Sequence, residues 1–356
     1  MIPIETAVPS RPIAGATILQ LHGQSMGTTW QVKCVVPSVH SPQRLQHAIQ
    51  QQLDQVVSQM SHWEAQSDLS RFNHAPAGTW AALPAAFYKV LGYASQLAED
   101  SAGAFDPTAG ALVNAWGFGP GAGYGNPAFE PPTARALAAA RASSGWRRLQ
   151  IDPATCSARQ PGGLHLDLSA IAKGFGVDQV ALHLSAAGIA SFLVEVGGEL
   201  RGAGTKPDGQ PWWVALEQPG DGDGAVETIV ALHNLSIATS GDYRRFFESG
   251  GARYCHTIDP RTGQPVAPGL ASVTVLHADC MAADALSTAL MVMGVEEGIP
   301  WAERRGLAAL FRTRSGCPAR TRRSGDDPAR SATSSATTRR SPLAEHMTQR
   351  FADLLQ

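Results

Sequence analysis

The chain has only five cysteines, Cys34, Cys156, Cys255, Cys280 and Cys317, scattered, odd in number and without a C-x-x-C pair. That argues against a disulfide-stapled scaffold and a cysteine-built zinc site. Cys255 stands beside His256, but a buried, inert thiol is the commoner case. No apolar run approaches the roughly 18 residues that span a bilayer. The opening MIPIETAVPSRPIAG lacks the basic and then apolar regions of a secretory leader and any lipid-anchoring cysteine. The expectation is therefore a cytoplasmic protein, or an exported one if the N-terminus is trimmed or misassigned. Charge is scarce as well. With 16% charged residues and a net charge of -2, nothing draws the chain to nucleic acid or an anionic membrane. A small molecule or a protein remains as the substrate. Neither G-x-x-x-x-G-K-[ST] nor G-x-G-x-x-G after a strand occurs, so any nucleotide site uses another design.

What is present is a 356-residue chain with 44% hydrophobic residues, enough for one large domain or two small ones. Residues 16–36 read as a hairpin or two strands around a Gly/Ser centre. Residues 42–63 repeat apolar positions at three- and four-residue spacing and read as a helix. AALPAAFYKVLGYASQLAEDS is a second helix, and residues 117–133 are a Gly/Pro loop. LQIDP and LHLDL read as short strands, SAIAKGFGVDQVALHLSAAG as a helix, and FLVEVGG, WWVALEQP, TIVALHN, LSIAT and ASVTVLH as strands. CMAADALSTALMVMG reads as a helix. Residues 313–343 turn Arg/Ser/Thr/Ala-rich without apolar periodicity, which predicts a disordered or aberrant stretch. Residues 344–356 are amphipathic again and can dock on the body.

Several motifs carry chemistry, each with a bland alternative. GQSMG (23–27) matches the nucleophile elbow, but the strand-like TTWQVKCVV follows where a helix is needed, so Ser25 is a poor nucleophile. Asp284 and Thr288 stand at i and i+4 of a helix, with Cβ atoms about 5–6 Å apart on one face. A carboxylate with a hydroxyl is a thin shell of hard oxygens, suited to Mg²⁺ arriving with a diphosphate. The alternative is a helix-start Asp and a satisfied Thr. LHLDLSAIAKG (164–174) runs from strand into helix, with Asp167 and Lys173 flanking a helix start that can receive an anion, or acting as a cap and a surface charge. Between 238 and 263, Thr239, Ser240, Tyr243, Arg244, His256 and Asp259 lie close in sequence. A His held by an Asp can serve as a general base.

Together these segments resemble the ApbE family, the FAD:protein FMN transferases. The resemblance rests on SMGTTWQV (25–32), MSHWEAQSDLSRFN (60–73), GAFDPTAGALVNAWGFGP (103–120), DLSAIAKGFGVDQV (167–180), VEVGGELRGAG (194–204), IATSGDYRRFF (237–247), HTIDPRTGQPV (256–266) and SVTVLHADCMAADALSTALMVMG (272–294). These blocks span about residues 16–312. The resemblance implies an α+β fold with a T-fold-like core, mixed sheets and packed helices, and FAD in an elongated cleft with Mg²⁺ at its diphosphate. It further implies Met26, Trp63, Ala104, Phe105, Asp106, Asp167, Lys173 and Ile258 as flavin contacts. The Ala170 carbonyl, Asp284 and Thr288 are implied as metal ligands. Ser287 stands where some relatives carry Asp, so no third side-chain ligand is expected. The implied reaction moves FMN onto a Ser or Thr of an acceptor protein and releases AMP, with His256 as base and Asp259 orienting it; the expected acceptor is a redox protein, with no nucleic-acid partner and no membrane span. The same residues would serve an FAD pyrophosphatase, with water in place of the hydroxyl. A non-catalytic flavin carrier is the other alternative.

Overall fold

The structure, a computed structural model, describes residues 16–36, 41–121, 123–219, 228–314 and 343–354. Strands β1 (Thr17–Ser25) and β2 (Thr28–Val36) form a hairpin in register from Thr17↔Val36 to Ser25↔Thr28. Met26 and Gly27 make the turn with φ of 52° and 70°, the left-handed geometry that follows the twist of paired strands. Ser25 thus ends a strand that folds back into another strand, and the nucleophile elbow is absent.

Helix α1 (Pro42–Met60) starts at Ser41, whose side chain accepts the Arg44 N–H, and its buried stripe is Leu45, Ile49, Leu53, Val56 and Met60. Next come α2 (Asp68–His74), β3 (Trp80–Ala82), α3 (Ala85–Asp100), α4 (Gly110–Ala115) and α5 (Ala134–Ser143). Strands β4 (Gln150–Asp152) and β5 (Ser157–Arg159) join β3 in a three-stranded sheet. The LHLDL segment buries Leu164, Leu166 and Leu168, yet it joins no sheet among the described residues and makes an isolated bridge from His165 to Ala109. Its alternation reports a buried face, while the Asn73 side chain takes the place of a neighbouring strand. That amide donates to the Leu166 carbonyl and accepts the Leu166 N–H.

The remainder supplies α6 (Ala172–Ala186), β6 (Phe192–Val196), β7 (Glu199–Ala203), β8 (Trp212–Ala215), β9 (Ile229–Leu232) and β10 (Leu235–Gly241). It continues through β11 (Phe246–Ser249), β12 (Ala252–Cys255), β13 (Ile258–Asp259), β14 (Gln264–Pro265) and β15 (Leu270–His277). The last elements are α7 (Cys280–Arg304), β16 (Ala308–Arg314), β17 (Leu343–Met347) and α8 (Gln349–Asp353). The main sheet is antiparallel throughout, in the order β1-β2-β6-β7-β10-β15-β16-β17. Helix α6 packs on β6 and β7, α7 on β10 and β15, and the two helices pack on each other. The architecture is α+β, as the resemblance implies. Where the sequence pattern stops at Gly294, α7 kinks at that residue (φ 74°) and resumes.

Strand β17 brings the C-terminal segment back onto the sheet edge, pairing from Leu310↔Met347 to Arg314↔Leu343, and Phe351 of α8 is fully buried. The described part of 344–356 therefore docks. Strand β16 runs past residue 312 to Arg314, and the disorder expected beyond it falls at 315–342, outside the described residues. No helix of the described residues is long and apolar enough to cross a membrane.

Candidate active site

The seam between α6 and α7 requires close backbone approach at one point. A Cβ on Gly174 would run into the Cys280 carbonyl and stand 2.8 Å from Asp284 Cβ, so only glycine lets the first turn of α6 meet α7. The start of α7 is fixed by Asp178 of α6, whose two carboxylate oxygens accept the N–H groups of Cys280 (3.1 Å) and Met281 (2.9 Å) while Arg201 pairs with it. These contacts carry Asp284 to the first turn of α6. Its Oδ2 accepts the Gly174 N–H at 2.9 Å, and Oδ1 has no hydrogen-bond partner among the described residues. Burial pushes the Asp284 carboxyl above its ordinary range, against the pull of Lys173 and the Gly174 N–H.

Lys173 forms an ion pair with Glu199 at the start of β7. Burial works against the Lys173 ammonium, but Asp284 and Glu199 more than offset it and hold its pKa above the usual value. Burial likewise pushes Glu199 up to about 7, with Lys173 opposing, and its Oε2 is buried without a partner. Thr288 follows Asp284 by four residues on the same face of α7. Across the seam, Ser240 of β10 places its Oγ 2.9 Å from Thr288 Oγ1 and 2.8 Å from Ser287 Oγ. A half-free buried carboxylate beside hydroxyl oxygens is a donor set that fits a hard divalent cation. Among the described residues no cluster of three or more His, Cys, Asp or Glu could hold a metal alone.

The other wall is built differently. Strands β11 and β12 form a two-stranded hairpin apart from the main sheet, and His256 follows β12 directly. The His256 N–H donates to the Arg245 carbonyl (3.1 Å), and Nδ1 lies 3.2 Å from the same oxygen. Because a carbonyl only accepts, Nδ1 carries the hydrogen and Nε2 keeps a lone pair. Burial lowers the His256 pKa to about 4, with the charges of Arg245, Lys173 and Arg244 contributing, so the ring is neutral near pH 7. Aromatic rings brace the hairpin. Trp116 stacks on Tyr254 (5.2 Å), Tyr254 on Phe247 (5.1 Å), and Phe118 meets the His256 ring edge-on (6.3 Å).

Asp259 has a different partner from the one expected. Its carboxylate pairs with Arg261 (3.0 Å) and accepts the Arg261 N–H (2.9 Å), while the Arg261 guanidinium also reaches Glu297 on α7. An ion pair two residues away outcompetes a histidine whose Nδ1 is already engaged, so Asp259 braces the turn after His256. Burial pushes the neighbouring Cys255 thiol up to about 11 and makes it inert.

The remaining expected contacts divide into free and occupied groups. Met26 lies over Gly176 of α6, its Cε 2.8 Å from where a Cβ would stand. Trp63 is 57% exposed and edge-on to His62 (5.4 Å), so its face is open to a planar ligand. Asp167 accepts the Ser169 N–H (2.8 Å) and lies 3.5 Å from His62 Nδ1. Ala170 is half-buried just before α6. Ala104 and Phe105 are buried in the main core, and Ile258 packs with Trp116 and Phe118 in the aromatic cluster. Asp106 is occupied: it accepts the Thr108 N–H and hydroxyl and the Trp146 N–H, so its side chain braces a turn.

The model of the ApbE family matches residues 26–311. The chain belongs to the ApbE family. It is 43% identical over 294 residues to the FAD:protein FMN transferase of Vibrio cholerae, covering 82% of this chain and 86% of that one. Among solved structures, the flavin transferase ApbE from Vibrio cholerae superposes with a TM-score of 0.81 at 36% identity, covering 95% of this chain and 99% of that one. The apo form of the Pseudomonas stutzeri flavinyl transferase ApbE gives 0.80 at 37% identity, covering 95% and 97%.

Within this ApbE chain, sequence reasoning passed over Glu199, Arg261 and His62. Glu199 had a readable signal: an acid placed directly after VGG, where Gly197 and Gly198 both take positive φ (63° and 101°) and turn the chain sharply. Arg261 had a weaker one, the D-P-R spacing that lets a guanidinium fold back on its own turn.

Proposed function

We propose that this chain transfers the FMN half of FAD to a Ser or Thr hydroxyl of an acceptor protein and releases AMP. The observation that supports this most is the half-free Asp284 carboxylate on the same helix face as the Thr288 hydroxyl, a donor set for a hard cation; a neutral His256 whose Nε2 keeps a lone pair supplies a base. Asp284, Thr288 and the Ala170 carbonyl hold Mg²⁺ in this reading. When bound, Mg²⁺ neutralises charge on the diphosphate of FAD and makes its phosphorus more electrophilic. Lys173 adds positive charge at the first turn of α6. Trp63 and Met26 flank the flavin path, with Asp167 beside it. Buried Ala104, Phe105 and Ile258 shape the wall from behind, and Asp106 keeps its turn rigid.

His256 Nε2 takes the proton of the acceptor hydroxyl. The hydroxyl oxygen bonds to the FMN phosphorus, the P–O bond to AMP breaks, and AMP leaves with that electron pair. The acceptor is a redox protein with an accessible Ser- or Thr-containing segment, since a covalently attached flavin serves electron transfer. The test incubates the chain with FAD, Mg²⁺ and such an acceptor, followed by in-gel flavin fluorescence and intact mass. A covalent gain equal to FMN that chelation of Mg²⁺ prevents is the expected result. Free FMN and AMP beside two unmodified acceptors would overturn it in favour of a pyrophosphatase.

A further inference from the structure

We infer that Ser240 and Ser287 are positioning residues that fix the direction of the Thr288 hydroxyl, turning its hydrogen away so that its oxygen is free for a cation. The inference deepens the cation reading above and rests on it. Three hydroxyls and a carbonyl form one chain of contacts. Ser287 Oγ donates to the Asp284 carbonyl at 2.9 Å. Ser240 Oγ stands 2.8 Å from Ser287 Oγ and 2.9 Å from Thr288 Oγ1.

A hydroxyl has one hydrogen to give, whereas the carbonyl at the end of the chain can only accept. The Ser287 hydrogen is committed to that carbonyl, so Ser287 accepts from Ser240. The Ser240 hydrogen is then committed to Ser287, so Ser240 accepts from Thr288. The polarity runs one way, from Thr288 through Ser240 and Ser287 to the backbone of Asp284. Thr288 is left donating its hydrogen to Ser240 with its lone pairs unspent, the state an oxygen ligand of a cation requires.

The surroundings keep that polarity from reversing. Ser287 is buried, so water does not compete for its hydrogen. Ser240 sits in β10, held in register with β15 through Ser240↔Val273 and Thr239↔Thr274. Thr288 is only half-buried, which leaves its oxygen approachable. The relay also joins the two proposed side-chain ligands, because it begins on Thr288 and ends on the carbonyl of Asp284. Neither serine touches the cation in this account. Each acts through Thr288.

Mn²⁺ is the probe, with binding followed by the electron paramagnetic resonance of the free ion, with and without FAD. Asp284→Ala and Thr288→Val should each abolish tight binding, which tests the cation reading by itself. Ser287→Ala and Ser240→Ala should each weaken Mn²⁺ binding by about 10- to 100-fold, with unfolding temperatures close to that of the unsubstituted chain. Ser240→Thr, which keeps the hydroxyl, should recover most of the affinity. If Thr288→Val loses Mn²⁺ while Ser287→Ala and Ser240→Ala bind it normally, the relay is wrong and the cation reading stands. Unchanged Mn²⁺ binding in Asp284→Ala and Thr288→Val would remove both.

Discussion

Around Asp284, backbone groups hold the side chains. Gly174 N–H fixes one carboxylate oxygen, Asp178 caps the first turn of α7, and β10 is paired on both edges. On the His256 side, a two-stranded hairpin outside the main sheet carries the imidazole, the Arg245 carbonyl holds it, and stacked rings brace the hairpin. Backbone bonds and close packing fix atoms to a few tenths of an ångström, as a cation with strict oxygen geometry demands. Ring stacking is tolerant of small displacements. A rigid wall for the invariant substrate and a softer wall for a protein acceptor is the division of labour this pattern suggests.

Each prediction strains one wall and spares the other. The largest effect is expected from Asp284→Ala, which should lower transfer by about 10³-fold or more and remove its response to Mg²⁺. Mg²⁺ titrations of the transfer rate check this. His256→Ala should lower transfer by about 10²- to 10⁴-fold while FAD still quenches tryptophan fluorescence with unchanged affinity. Loss of both would mean the walls are not separable. Gly174→Ala forces the α6–α7 seam apart and should destabilise the protein by about 1–3 kcal/mol, read from denaturant unfolding. Phe247→Leu should cost at most about tenfold in kcat and leave FAD affinity unchanged, since the ring packs against Tyr254 of the hairpin and against Phe118, Tyr124 and Phe129.

The smallest effect is in the pH dependence of stability. Burial lowers the folded pKa of His256 from its ordinary value of 6.5 to about 4. Above pH 6.5 the ring is neutral both folded and unfolded and contributes nothing. Between 6.5 and 4 the unfolded chain takes the proton first, so stability falls with pH through that window. Relative to His256→Gln, the unsubstituted chain should lose stability only below pH 6.5, by urea unfolding at a series of pH values. Parallel curves would show that the ring is not shielded by its hairpin.

How far these two walls were readable in the sequence differs for physical reasons. The i, i+4 spacing of Asp284 and Thr288 is a local property of one helix, so it was legible, as was the pair of strands in residues 16–36. The partnership of Ser240 with Ser287 and Thr288 depends on the register of β10 against a helix far along the chain, which no local spacing reports. Asp259 misled for the opposite reason. Its nearness to His256 suggested a pair, but Arg261 is nearer still and carries a full charge. LHLDL shows the limit of alternation, which marks a buried face but not whether a strand or an asparagine side chain satisfies its backbone.

The chain leaves the main sheet at Arg314 and re-enters it at Leu343, directly across the β16–β17 ladder. Two residues in facing positions of an antiparallel pair can be joined by a tight turn, so the geometry of these two ends asks for no more than a short connection. Closing a longer connection there is cheap as well, about 0.6 kcal/mol for each doubling of its length. That edge is a natural insertion port. A reporter domain or an affinity handle grafted at that edge should leave the surroundings of Asp284 and His256 undisturbed.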